Sequence, residues 1–183
     1  MKRATQLLLS PAIWAVLFAC SPAHSSSNIK APEIRTKLAA IPLDQEVHLT
    51  NEEWKVIMSP LQFFVMRRGG TEAPSLSGNA LDQRKGVYVC SACGNPLYSA
   101  DAKFDSGTGW PSFWQPIRKQ AVHEHSTVSA IFGREISCAR CGSHLGHVFN
   151  DGPQPTGLRY CMNAVALRLH EGDGATKNAQ ADH

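Results

Sequence analysis

The sequence predicts a mainly β domain with a small helical piece at its N-terminal end. Three observations carry this expectation. Helix signals are confined to the stretch from about Thr50 to Gly70. From Thr71 onward the chain breaks into short apolar runs separated by Gly, Pro, Asn and Asp, the punctuation of strands and turns. Two C-x-x-C-G segments, with 44 residues between Cys93 and Cys138, then tie distant parts of that β region together.

The chain opens with Lys2 and Arg3, and Leu7 to Ala19 follows as an uncharged apolar run. The run is shorter than the ~20 residues that span a bilayer and reads as an export signal. Leu17-Phe18-Ala19-Cys20, followed by Ser21, resembles the lipobox of bacterial lipoproteins, in which the cysteine is lipidated. An ordinary cleaved signal with an incidental Cys20 is the alternative. The expectation is a lipoprotein-type signal over 1–19 and an exported product, periplasmic or in the cell envelope, held to a membrane by a lipid anchor. Residues 20–43 are rich in Ser, Ala and Pro and read as a flexible tether. The domain is expected over 44–170, and a polar, frayed tail over 171–183.

Composition fits one globular domain: 43% hydrophobic and 18% charged in 183 residues. The formal charge is +3; without Lys2 and Arg3 it is 16 basic against 15 acidic side chains, or +1. With no basic run on that remainder, a nucleic-acid partner is not supported.

Thr50-Asn51-Glu52-Glu53 has the form of a capping box, and Trp54, Ile57 and Met58 follow at helical spacing. Ser59-Pro60 reads as a second helix start, with Phe63, Phe64 and Met66 as its buried face and Gly69-Gly70 as its end. Val87-Tyr88-Val89, Ser129-Ala130-Ile131-Phe132 and Ala164-Val165-Ala166-Leu167 read as strands.

Cys90-Ser91-Ala92-Cys93-Gly94 and Cys138-Ala139-Arg140-Cys141-Gly142 are two knuckles of one form. Each offers two thiolates from a tight turn, with a Gly that lets backbone N–H groups approach the sulfurs. Together they complete a tetrahedral sulfur shell, the usual arrangement for a structural zinc with no open position for chemistry. Two disulfides, or a redox-active pair, are the alternatives for an exported chain. The remaining cysteine of the domain is Cys161, in Arg159-Tyr160-Cys161-Met162-Asn163. A lone cysteine is commonly a small buried hydrophobe. Here Arg159 is close enough to favour a thiolate, and His144 and His147 follow the second knuckle. Asn163 shares a face with Cys161 if the strand is regular. His123 and His125 read as surface residues.

Lys103-Phe104-Asp105-Ser106-Gly107-Thr108-Gly109-Trp110-Pro111-Ser112-Phe113 resembles the K-F-D-S-G-x-G-W-P-S-F signature of methionine sulfoxide reductase B proteins. Gly70-Thr71-Glu72-Ala73-Pro74, His144-Leu145-Gly146-His147-Val148-Phe149 and Arg159–Asn163 match that family's other motifs, in family order, across about 48 to 170. The resemblance implies two antiparallel sheets with the zinc remote from the catalytic site. It also implies reduction of methionine-R-sulfoxide, free or in oxidised proteins and peptides, with recovery by an external thiol, thioredoxin-like or small; the pairing of one enzyme with each epimer is general knowledge of these reductases.

In that reading Cys161 is the nucleophile, His147 the acid at the sulfoxide oxygen, and His144 and Asn163 orient it or the substrate. Trp110 is a wall for the S-methyl group, with Arg159 and Phe149 as further substrate contacts. The oxidised product on the enzyme is a Cys161 sulfenic acid.

The chain departs from the family pattern at three positions. Thr108 stands where many members carry a resolving cysteine, so a one-cysteine enzyme is expected. Gly133 replaces a common Arg and Ala164 a common Ser. Two other functions fit parts of this pattern. A zinc-stabilised surface binding module leaves His144, His147 and Cys161 without a use. A cysteine hydrolase would turn over without thiol.

Overall fold

The computed structural model describes residues 29–74, 84–126 and 133–171. The expected signal, the first part of the tether, the strand at 129–132 and the tail beyond Glu171 lie outside the described residues. Three helices come first: α1 (Ala31–Ala39), α2 (Asn51–Ile57) and α3 (Pro60–Arg68). Both predicted caps are formed. The Thr50 hydroxyl accepts from the Glu53 N–H at 3.2 Å and Glu53 accepts from the Thr50 N–H at 2.7 Å. Ser59 and Gln62 repeat the exchange at 3.2 and 3.1 Å. Gly69, left-handed at φ 67°, closes α3, a conformation that costs a residue without Cβ little.

Among the described residues nine strands follow: β1 (Gly86–Cys90), β2 (Pro96–Ser99), β3 (Lys103–Phe104), β4 (Ser112–Phe113), β5 (Val122–Glu124), β6 (Arg134–Cys138), β7 (His144–Phe149), β8 (Arg159–Met162) and β9 (Leu167–Glu171). They form two antiparallel sheets, as expected: β2-β1-β9, and β3-β4-β8-β7-β6-β5. Aromatic rings join the sheets. Tyr98 of the small sheet stacks on Phe113 of the large one at 4.4 Å, and Tyr88 meets the same ring edge-on at 5.1 Å. Such pairs contribute about 0.5–1.5 kcal/mol each beyond their burial. Two methionine sulfurs lie in this interior, each accepting a hydroxyl: Met162 from Tyr98 at 3.2 Å and Met66 from Ser91 at 3.3 Å.

Three expectations are corrected. The stretch read as tether contains α1, and order begins before Thr50. Ile34 is buried and Leu38, one turn on, packs against the core, while Pro32 sits in the first turn where its missing N–H costs nothing. Lys37 binds Glu53 at 2.7 Å and Arg35 donates to the Ile57 carbonyl at 3.0 Å, fastening α1 to α2. The Ala and Pro content that suggested a linker is here a short helix held by its neighbours. Second, Phe64 is 52% exposed; Val65 and Met66 are the buried residues of α3. Third, Ala164–Ala166 is a 3-10 turn rather than a strand, and β9 starts at Leu167. The buried Glu72 carboxylate accepts the N–H groups of Ala164 and Val165 and bends the backbone there.

Candidate active site

The two knuckles fold identically. Gly94 N–H donates to the Cys90 carbonyl and Gly142 N–H to the Cys138 carbonyl, both at 2.8 Å. The first cysteine of each knuckle donates its N–H to a carbonyl five residues on, Asn95 and Ser143. The glycines adopt φ 80° and 65°, so each turn requires a residue tolerant of the left-handed region. Their N–H groups close the turn on carbonyls, while the Asn95 side-chain amide lies 3.5 Å from Cys138 Sγ and the Cys141 backbone also hydrogen-bonds that sulfur.

The four sulfurs lie within 4.8 Å of one another, all buried. Cys90–Cys141 and Cys93–Cys138 are separated by 3.8 and 3.7 Å. A disulfide needs about 2.05 Å, and these thiols are free. A tetrahedron built on Zn–S bonds of ~2.3 Å has edges of about 3.8 Å. The donor set fits a structural zinc. Hydrogen bonding to Cys138 pushes the Cys90 and Cys93 thiols up, while the contact with Cys141 holds Cys138 well below the usual thiol range. Four thiols so crowded share protons, and a bound dication would take the place of those protons.

Arg140, inside the second knuckle and 6% exposed, gathers the N-terminal arm. It donates to the carbonyls of Ile41, Pro42 and Gln45 at 2.7, 3.0 and 3.1 Å, and to that of Cys93. Its own carbonyl accepts from the Val47 N–H at 2.7 Å.

The second cluster lies across the large sheet. Strand register sets Phe104, Ser112, Cys161, His147 and Glu135 side by side on β3, β4, β8, β7 and β6. Directly opposed residues project to one face with Cβ atoms roughly 5 Å apart. Two residues along, Arg159 pairs with Phe149, its guanidinium 4.3 Å above the ring. Asp151 grips Arg159 with both oxygens, at 2.9 and 2.8 Å, and holds its own carboxyl below the ordinary range by doing so. Cys161 is partly exposed, Thr108 Oγ1 lies 3.9 Å from its sulfur, and Arg159 interacts with it.

His144 is buried, with Nδ1 2.8 Å from Glu135 Oε1 and its ring 5.2 Å from that of His147. Burial, reinforced by His144, lowers the His147 pKa. An imidazole held neutral beside a thiol can take its proton and return it. The Trp110 ring is half-buried, with Nε1 donating to the Glu72 carbonyl at 3.2 Å. Asn163 lies beyond the end of β8 and its amide is committed inward: Oδ1 accepts from the Glu72 N–H at 3.0 Å and Nδ2 donates to the Leu145 carbonyl at 3.1 Å. It ties the Glu72 segment to β7. His123 and His125 are exposed, as expected, on and beside β5.

A SelR domain model matches residues 58–171. The chain is 48% identical over 139 residues to the peptide methionine sulfoxide reductase MsrB of Bradyrhizobium diazoefficiens, covering 75% of this chain and 97% of that protein. The chain belongs to the methionine sulfoxide reductase B family. Identity to the MsrB of Methanosarcina mazei is 51% over 124 residues, 67% of this chain and 88% of that one. To the MsrB of Leptospira interrogans it is 46% over 130 residues, 70% and 99%. Set in this methionine sulfoxide reductase B fold, the Cys161 row lies on the large sheet, while the cysteine tetrahedron joins the two sheets: Cys90 ends β1 of the small one, and Cys138 ends β6, which carries Glu135 near its other end.

Sequence reading did not assign Glu135, Glu72, Asp151 or Arg140. Glu72 stood in a quoted motif, and Glu135 precedes the second knuckle by three residues. Arg140 gave a signal too, being a cation placed between two metal ligands.

Proposed function

We propose that this chain reduces methionine-R-sulfoxide, free or in oxidised proteins and peptides, with Cys161 as nucleophile and external thiol as reductant. The observation that carries the reading is the opposition of Cys161 and His147 on adjacent strands, flanked by Arg159 and Glu135. His147, neutral at pH 7, takes the Cys161 proton, and Arg159 favours the thiolate that results. The thiolate attacks the sulfoxide sulfur while His147 returns the proton to oxygen. The S–O bond then breaks as the hydroxyl passes to the Cys161 sulfur and the transient S–S bond cleaves, so that methionine leaves with two more electrons and Cys161 holds the oxygen as sulfenic acid. One external thiol condenses with it and releases water; a second displaces Cys161 and leaves as disulfide. Trp110, pinned through its Nε1, is the wall for the S-methyl group, and Asn163 holds the β7 backbone that carries the histidines. Zinc, held by Cys90, Cys93, Cys138 and Cys141, maintains the fold and takes no part in the steps.

The export reading rests on residues 1–20, and lipidation of Cys20 is proposed on the same basis. No helix among the described residues is long and apolar enough to cross a membrane. Palmitate labelling that is equal in wild type and Cys20→Ala would argue against the anchor.

The test of the activity uses the full chain with dithiothreitol and the two separated epimers of N-acetyl-methionine sulfoxide. Reduction of the R epimer alone, lost in Cys161→Ser, is the expected result. Folded, zinc-loaded protein that reduces neither epimer would overturn it.

A further inference from the structure

Behind Cys161 runs a line of hydroxyls. Thr108 Oγ1 is 2.8 Å from Ser106 Oγ, which is 2.8 Å from Ser112 Oγ, which donates to the Trp110 carbonyl at 3.3 Å. Ser112 is completely buried, and it is the residue that opposes Cys161 from β4. At one end of the line is a carbonyl, which only accepts. At the other is a sulfur, 3.9 Å from Thr108, which donates as thiol and only accepts as thiolate.

Each hydroxyl has a single proton, so the line is oriented as a whole. With Cys161 protonated, S–H donates to Thr108, Thr108 to Ser106, Ser106 to Ser112, and Ser112 to Trp110. Once the Cys161 proton has left, the order inverts: Ser112 donates to Ser106, Ser106 to Thr108 and Thr108 to sulfur. The inversion needs only rotation of three C–O bonds and no transfer between oxygens. Hydrogen bonds to an ion are roughly twice as strong as neutral ones, and a chain of them polarises cooperatively. The long contact to sulfur closes as charge appears there, as such contacts commonly do.

We propose that Ser112, Ser106 and Thr108 form a reversible hydroxyl chain whose Thr108 end donates to the Cys161 thiolate. This makes Thr108 a positioning residue for the nucleophile, and it rests on the assignment of Cys161 under the proposed function. Other charged groups act on Cys161 from β8, β7 and β6: Arg159 with Asp151 behind it, then His147, His144 and Glu135. The loop that brings Thr108 carries Asp105, whose carboxylate accepts from the Gly107 N–H at 2.9 Å. Ser112 is the contribution of β4 and bears no charge.

The test follows alkylation of Cys161 by iodoacetamide across pH in the zinc-loaded full chain without substrate, read on the tryptic peptide Tyr160–Arg168. Thr108→Val is expected to react about tenfold more slowly at neutral pH, equivalent to ~1.4 kcal/mol or one pH unit, and to reach the wild-type plateau at high pH. Thr108→Ser restores the wild-type profile, and Ser106→Ala slows the neutral rate about threefold. A Thr108→Val profile equal to wild type, or lowered evenly at every pH, would show that Thr108 only fills space. An unshifted Ser106→Ala would reduce the chain to Thr108 alone and overturn it. Failure of the underlying assignment shows elsewhere, as no dimedone-trapped sulfenic acid when wild type meets the sulfoxide.

Discussion

Glu135 Oε1 sits 2.8 Å from Nδ1 of His144, while the other ring nitrogen of His144 is buried without a hydrogen-bond partner. A carboxylate at Nδ1 fixes the tautomer with Nε2 bare, an acceptor facing the interior beside His147. Exchange of Glu135 for Gln leaves the shape but releases that tautomer. Turnover of Glu135→Gln with dithiothreitol is expected to fall about tenfold, and that of His147→Gln about a hundredfold or more. An unchanged kcat in Glu135→Gln would remove the carboxylate from the positioning of the histidines.

His147 also marks stability against pH. Burial, then the neighbouring His144, lowers its folded pKa, so at mildly acidic pH the unfolded chain binds a proton that the folded chain does not. The contribution is whole above the unfolded value of about 6.5 and is lost as pH falls through the folded value. With zinc in excess, Tm should decline from pH 7 to 5, less steeply in His147→Asn. Parallel slopes for the two proteins would assign the decline to other groups.

Gly146 lies against the nucleophile's backbone. A Cβ there would stand 2.2 Å from the Cys161 carbonyl oxygen and 2.9 Å from Met162 Cα. Gly146→Ala must therefore push β7 away from β8, at a cost of about 3 kcal/mol by analogy with overpacked cores. Urea unfolding measures that loss. The same variant separates His147 from Cys161, so its kcat should fall even at temperatures where it is fully folded.

Much of this was legible from the chain. The knuckles predict a sulfur tetrahedron because C-x-x-C-G has few other uses when repeated, and the Thr50 capping box and the Ser59-Pro60 start announce α2 and α3. Cys161, His147 and Arg159 were legible as chemistry, and register then put them on one face. Asn163, read as part of the strand, lies one residue past its end at Met162. What ends it there is Glu72, about ninety residues earlier, and no local pattern announces a carboxylate arriving from so far away. The same holds for α1, whose composition is that of a linker until Glu53 and the Ile57 carbonyl are seen to hold it.

Arg140 is the clasp of that arm. Four thiolates around one zinc leave a net charge of about −2, which favours a buried guanidinium nearby. Arg140→Met should free residues 31–47, seen as faster tryptic cleavage at Arg35 and Lys37, with zinc content kept. Cys138→Ser should lose zinc and lower Tm by about 10 °C or more, since metal binding here is folding energy. Zinc assay and limited proteolysis together separate the two outcomes, and equal cleavage in Arg140→Met and wild type would deny the clasp.

Met66 and Met162 are sealed from solvent, and each sulfur already spends a lone pair on a hydroxyl. An oxidant arriving through water meets little of either side chain. Met58, between α2 and α3, is the described methionine that retains some exposure. A repair enzyme so built is itself slow to need repair: the damage it mends in others is steered, in its own chain, to a thioether outside the sealed interior.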